Sequence, residues 1–182
     1  MIKVGVLLAD GFEEVEALTV VDLLRRAQMY VATVSVTEEY IVHGAHGINI
    51  QTEDLFEEVN FADVDVVVLP GGMPGTLHLK EHEGVRRVVA DFAQSGKLIG
   101  AICAAPTVLA DLGLLKGKRI TCYLSVETEI QGAVITRKPV TVDGNIVTSR
   151  GVGTAIDFAL ELIAVLMGRE KAVSIAESIV YE

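Results

Sequence analysis

The chain has 182 residues, of which 51% are hydrophobic and 22% charged, with a formal net charge of −10. That length is enough for one well-formed core, while 25 acidic against 15 basic residues argue against a standing grip on nucleic-acid phosphates or an anionic membrane, both of which draw on Lys and Arg. No run of about 18 apolar residues could span a bilayer, two cysteines make no disulfide framework, and the chain starts directly in a strand without a basic leader. The expectation is a single cytoplasmic domain over residues 1–182.

Residues 2–8 read as a buried strand. A helix is expected over 13–28, with Val15, Leu18, Thr19, Asp22, Leu23 and Arg26 at helical spacing, acidic at its start and basic at its end as the macrodipole prefers. Glu13 and Glu14 are expected to face solvent. A second strand follows over 31–37. The segment 40–51, with Gly44 and Gly47, reads as a hairpin-like excursion. Residues 64–69 are apolar enough that both faces of that strand need cover, and they run into Pro70-Gly71-Gly72-Met73-Pro74-Gly75.

A helix over 83–94 precedes a strand over 97–102, and a further helix covers 104–112. Residues 119–123 suggest another strand. Strands at 139–142 and 146–148 flank the turn Asp143-Gly144-Asn145. Helices over 153–167 and 170–179 end the pattern. Alternating strands and helices predict an α/β fold: a three-layer sandwich around a mostly parallel sheet, with helices on both faces and right-handed crossovers. Sites in such sheets lie at the carboxyl ends of strands, where this chain carries Asp10–Glu16, Pro70–Gly72 and Cys103.

Cys103 ends an apolar strand where a helix begins on small residues. A thiol at such a corner points out of the sheet edge toward backbone N–H groups and a helix N-terminus, which favour the thiolate. The alternative is a buried structural cysteine. Glu16 lies one turn into the first helix. Two anions in contact raise each other's pKa, so Glu16 can partner Cys103 only as a protonated acid, a state that burial promotes. It could then shuttle a proton on a substrate carbon. The N–H groups of Gly72, beside Gly71, and of Ala104 could form an oxyanion hole; the competing reading of Gly71-Gly72 is a phosphate-binding loop or a plain turn. Arg150, in Ser149-Arg150-Gly151-Val152-Gly153-Thr154, is the cation placed nearest. His78 and His82 have metal-binding spacing but lack the Glu directly after the first His that an H-E-x-x-H pattern has, and read as solvated surface, so no metal is expected. Cys122 reads as buried packing, or as a thiol that could resolve an oxidised Cys103.

The segments Gly11–Ala17, Val66–Gly72, Ala101–Pro106 and Thr148–Thr154, in this order, resemble the ThiJ/PfpI family, in the branch of the Parkinson-disease-associated deglycase and its bacterial relatives. The resemblance implies a flavodoxin-like fold, of the class I glutamine amidotransferase type, and a homodimer with the first helix at its interface. It implies Cys103 and Glu16 as the catalytic pair and Gly72 and Ala104 as the backbone donors. His46 stands where the family often carries Arg, and Cys122 where some relatives carry His. Ala104 replaces the His of the protease-like branch, which argues against peptidase chemistry. The activities implied are glyoxalase III or deglycase action on methylglyoxal, glyoxal or their glycated adducts, with no cofactor. The alternative is a redox sensor or holdase chaperone acting through Cys103 oxidation.

Overall fold

The computed structural model describes residues 1–181. Seven strands form one sheet in the order β10-β11-β7-β6-β1-β2-β5: β1 is Lys3–Leu8, β2 Tyr30–Ser35, β5 Asp54–Leu55, β6 Val66–Leu69, β7 Leu98–Ile102, β10 Val140–Asp143 and β11 Ile146–Ser149. All pairs are parallel except β10 with β11. Two small sheets stand apart, one from β3 (Ile41–His43) and β4 (Asn49–Gln51), the other from β8 (Arg119–Ile120) and β9 (Val134–Ile135). The α/β architecture is as expected.

Helices cover both faces: α1 (Glu14–Arg26), α2 (Gly75–Glu81), α3 (Glu83–Ser95), α4 (Pro106–Asp111), α5 (Ala155–Met167) and α6 (Arg169–Ser178). Residues alternate across each strand, so the sheet divides the core in two. Val4, Val6, Leu8, Val66, Val68 and Ile102 pack toward Leu24 of α1 and Phe158 of α5. Leu7, Val67, Leu69, Ile99 and Ala101 pack toward Val89 of α3 and Leu109 of α4. Strands covered on both sides need no polar alternation, which explains their unbroken Val, Ile and Leu runs. Among the described residues no helix is long and apolar enough to cross a membrane.

Three expectations change. The face of α1 that buries runs through Glu16, Ala17, Val20, Leu23 and Leu24, whereas Val15 is 47% exposed and Asp22 and Arg26 pair with each other on the surface. Glu14 does not face solvent, being 2% exposed. The strand expected over 119–123 is only two residues long, because its next residues leave the ladder toward the site: Thr121 N–H donates to Thr148 Oγ1 at 2.9 Å and Tyr123 N–H to the Cys103 carbonyl at 2.8 Å.

Topology decides where a ligand can sit. From β1 the chain moves to β2 on one side, then returns to lay β6 on the other, so the carboxyl ends of β1 and β6 diverge and leave a crevice. The turns after β1, β6, β7 and β11 surround it.

Candidate active site

Cys103 is the first residue beyond β7 and has φ of +64°, a left-handed conformation that costs a non-glycine residue about 1–2 kcal/mol. Its backbone is clamped on both sides: its N–H donates to the Ser149 carbonyl at 3.0 Å, and its carbonyl accepts from Tyr123. The end of β11 and the segment after β8 therefore hold the strained turn, and Pro106, the first residue of α4, starts the helix without needing a donor partner. The result is a sharp strand-to-helix corner that lifts the side chain out of the sheet edge.

Glu16 approaches from α1 and is 1% exposed. Its Oε2 accepts from the Gly71 N–H at 2.8 Å. Among the described residues its Oε1 has no hydrogen-bond partner. Gly71 sits in the narrow gap between the two side chains. A Cβ there would come within 2.6 Å of Cys103 Cβ and 2.8 Å of Glu16 Oε2, so only glycine lets acid and thiol close up. Gly72 has φ of +93°, again a glycine conformation, and this turns its N–H toward the sulfur; the Ala104 N–H reaches the same atom.

Protonation follows from this packing. Burial raises the Glu16 carboxyl to about 7, against the lowering contributions of the Gly71 N–H and the Cys103 thiol. The acid expected to keep its hydrogen by desolvation is thus held near neutrality. The thiol does not follow its expectation. Burial first, then the Glu16 charge, push it up to about 12, and the Ala104 and Gly72 N–H groups offset only part of this. The helix-terminus donors do not by themselves make a thiolate. Acid and thiol form one coupled unit that loses its first proton near 7, with a second proton shared between carboxyl and sulfur far above that.

An open cavity of about 510 Å³ lies over this pair, lined by Cys103, Glu16, Glu13, Gly72, Tyr123, Leu124 and the turn from Arg150 to Thr154. Gly151 comes close to the centre: a Cβ there would sit 3.7 Å from Glu16 Oε1 and 4.0 Å from Cys103 Sγ. Arg150, Gly72, Cys103 and Glu16 thus meet as the sequence suggested. Gly71 and Ala104 lie beneath the cavity wall and act through their backbones. Cys122 does not line it. That residue is 0% exposed, and burial pushes its thiol up to about 11.

His46 stands away from the cavity, on the turn between β3 and β4. Its Nδ1 lies 3.0 Å from Glu14 Oε2 and 3.5 Å from Glu13 Oε2, and these carboxylates raise its pKa. Glu14 Oε1 also accepts the backbone N–H groups of His46 at 2.6 Å and Ile48 at 3.3 Å. Burial alone would raise the Glu14 carboxyl, but its own N–H and the His46 and Ile48 donors bring it below its ordinary value. Glu14 is therefore the latch that holds the β3–β4 excursion on α1. Glu13, Glu14 and His46 are also the one set of described residues whose donor atoms gather closely enough for a metal ion; their mutual hydrogen bonding accounts for the arrangement without one. His82 is not solvated surface either, since its Nδ1 accepts from Val85 N–H at 3.1 Å and caps α3.

Sequence reasoning missed Glu13, Tyr123, Leu124 and Val152 as cavity residues. They lie on turns, and no periodic pattern marks them.

The DJ-1/PfpI family model matches residues 2–165. Protein DJ-1 homolog B of Arabidopsis thaliana is 37% identical over 98% of this chain, which spans only 41% of that relative's length. A Caenorhabditis elegans protein named a glutathione-independent glyoxalase is 33% identical over 91% of this chain and 89% of its own. The solved structure of oxidized DJ-1 from Toxoplasma gondii superposes with a TM-score of 0.95 at 36% identity, covering 100% of this chain and 99% of that one. The chain belongs to the DJ-1/PfpI family.

Proposed function

We propose that this DJ-1/PfpI chain is a cysteine-dependent enzyme of the glyoxalase III or deglycase type, acting on methylglyoxal, glyoxal or their adducts without a cofactor. The observation that carries the reading is the buried Glu16 Oε1, unpartnered among the described residues, beside Cys103 at the floor of an open cavity. A buried acid held near neutrality is suited to moving a proton. The glyoxalase named among the relatives supports the same reaction class.

Internal transfer of the thiol proton to Glu16 supplies the nucleophile. The sulfur adds to the aldehyde carbon, and the resulting alkoxide, met by the Gly72 and Ala104 N–H groups, takes the proton back from Glu16 to give a hemithioacetal and an ionised Glu16. Glu16 passes a proton from the former aldehyde carbon to its neighbour through an enediol. Water then cleaves the resulting thioester and releases Cys103. The net change is addition of one water to an α-oxoaldehyde to give an α-hydroxy acid. Methylglyoxal in glutathione-free buffer is expected to yield lactate, and Glu16→Gln and Cys103→Ser are expected to lose at least a hundredfold in kcat. Unchanged turnover in either variant refutes the mechanism.

A second reading, redox sensing, is favoured by the same backbone donors: an oxidised sulfur carries negative oxygens that the Gly72 and Ala104 N–H groups and a protonated Glu16 can hold. The oxidized Toxoplasma relative fits it. Rapid selective oxidation of Cys103 in protein that turns over no dicarbonyl would favour this reading. The homodimer and cytoplasmic location belong to the same proposal.

A further inference from the structure

The cavity is far larger than the substrate named above. Its 510 Å³ equals the liquid volume of about 17 water molecules at ~30 Å³ each, whereas methylglyoxal has five non-hydrogen atoms. The wall carries one cation, Arg150. Of the eight arginines in the chain, five are in ion pairs, namely Arg25, Arg26, Arg86, Arg137 and Arg169. Arg87 and Arg119 are exposed. Arg150 is half-buried, and among the described residues its guanidinium makes no hydrogen bond or salt bridge. The nearby carboxylate whose charge it feels, Glu127, is occupied by Arg137, with contacts of 3.1, 3.2 and 2.8 Å.

The backbone beneath Arg150 is firmly set. Ser149 pairs in register with Ile102, which places Arg150 alongside Cys103 at the next strand end. Thr154 Oγ1 accepts the N–H groups of Arg150 at 3.2 Å and Gly151 at 3.1 Å and lies 2.7 Å from Ser149 Oγ. A partly desolvated guanidinium on a fixed turn, without a protein partner, is a built receptor for a carboxylate. The opposing charge in the cavity, Glu13, leans toward His46.

From this we infer that Arg150 selects substrates whose far end is anionic: α-oxoaldehydes, or their adducts, that carry a carboxylate. The inference rests on the proposed dicarbonyl chemistry and names its substrate class. The probes are 4,5-dioxopentanoate, an α-oxoaldehyde with a terminal carboxylate, and its methyl ester. Hydration of the acid gives 2-hydroxyglutarate, separable by mass spectrometry. The native protein is expected to prefer acid over ester at least tenfold in kcat/KM, chiefly through KM, and Arg150→Gln is expected to bring that ratio close to one, with Arg150→Lys between. A ratio near one in the native protein, or a ratio unchanged in Arg150→Gln, overturns the inference while leaving the dicarbonyl chemistry standing.

Should neither probe turn over, anion selection is decided separately, by alkylation of Cys103, while methylglyoxal turnover alone decides the dicarbonyl reading. Glutarate, but not glutaramide, is expected to slow iodoacetamide attack on the native protein at least fivefold and to have no such effect in Arg150→Gln. Equal protection by both compounds, or none by either, overturns it.

Discussion

Replacing Glu16 by Gln separates the cost of the buried acid from its use. Glu16 has an ordinary value of 4.5 and is raised to about 7 in the fold. Below pH 4.5 both folded and unfolded chains hold the proton, and the acid contributes no pH dependence. Between 4.5 and 7 the unfolded carboxyl ionises while the folded one stays neutral, so unfolding releases a proton and stability falls as pH rises. Above about 7 both states are ionised and the loss is complete. At 1.36 kcal/mol per unit the fall amounts to about 3 kcal/mol. Gln keeps the shape and an oxygen for the Gly71 N–H but has nothing to ionise. The stability advantage of Glu16→Gln over the native protein should therefore grow by about 3 kcal/mol between pH 4.5 and 8, or by roughly 6–12 °C in Tm for a domain of this size. Urea titrations of both proteins across that range, kept below the thiol's ordinary value of 9, measure it. Parallel stability curves would show that Glu16 is not a raised acid and would remove the proton shuttle from the proposed mechanism.

Four further outcomes follow from the same geometry. Glu16→Gln should move the thiolate absorbance of Cys103 to lower pH, because the neighbouring charge that helps push the thiol up to about 12 is gone; a shift upward would contradict the coupling. Gly71→Ala should lose turnover by more than tenfold while the far-ultraviolet circular dichroism stays native, since its methyl would intrude between thiol and acid; native kinetics would mean the pair need not approach. Glu14→Ala should expose the β3–β4 backbone to hydrogen exchange and lower stability by about 2 kcal/mol through the loss of its carboxylate's hydrogen bonds to that turn, whereas protection unchanged at His46 and Ile48 would show the latch is idle. Peroxide should oxidise Cys103 and leave the fully buried Cys122 a free thiol by mass spectrometry, and an internal disulfide would reverse that expectation.

The parts of the fold legible in the sequence were those with one local cause. Residues 66–69 and 98–102 show continuous apolar runs because both faces of the sheet are covered, and Asp143-Gly144-Asn145 marks a turn because Gly144 takes φ of +62°. Cys103 was legible for the same kind of reason, standing where an apolar run meets small residues. The burial of Glu14 was not. Its partners lie 32 and 34 residues away, and an acidic first turn is equally well explained by the helix dipole, so propensity pointed to solvent where tertiary hydrogen bonds decided otherwise. The two-residue strands β5 and β9 carry no detectable period, and the cavity wall at Tyr123, Leu124 and Val152 is assembled from turns whose positions only the sheet order determines.

The ionisation of Cys103 shows why residue types alone mislead at such a site. Small residues and a helix start suggest a sulfur that ionises readily, and both donors are in place. The deciding quantity is the balance between them and two opposing effects, burial and the charge of Glu16, and these outweigh the donors. One geometric fact controls that balance. Gly71 admits the carboxyl to the sulfur, and the same contact that makes the free thiolate costly gives the thiol proton a destination within the site. A sulfur ionised in the resting protein would be open to every electrophile in solvent. A sulfur that ionises by handing its proton to Glu16 presents thiolate and acid together, the combination that a proton-shuttling reaction at adjacent carbons requires.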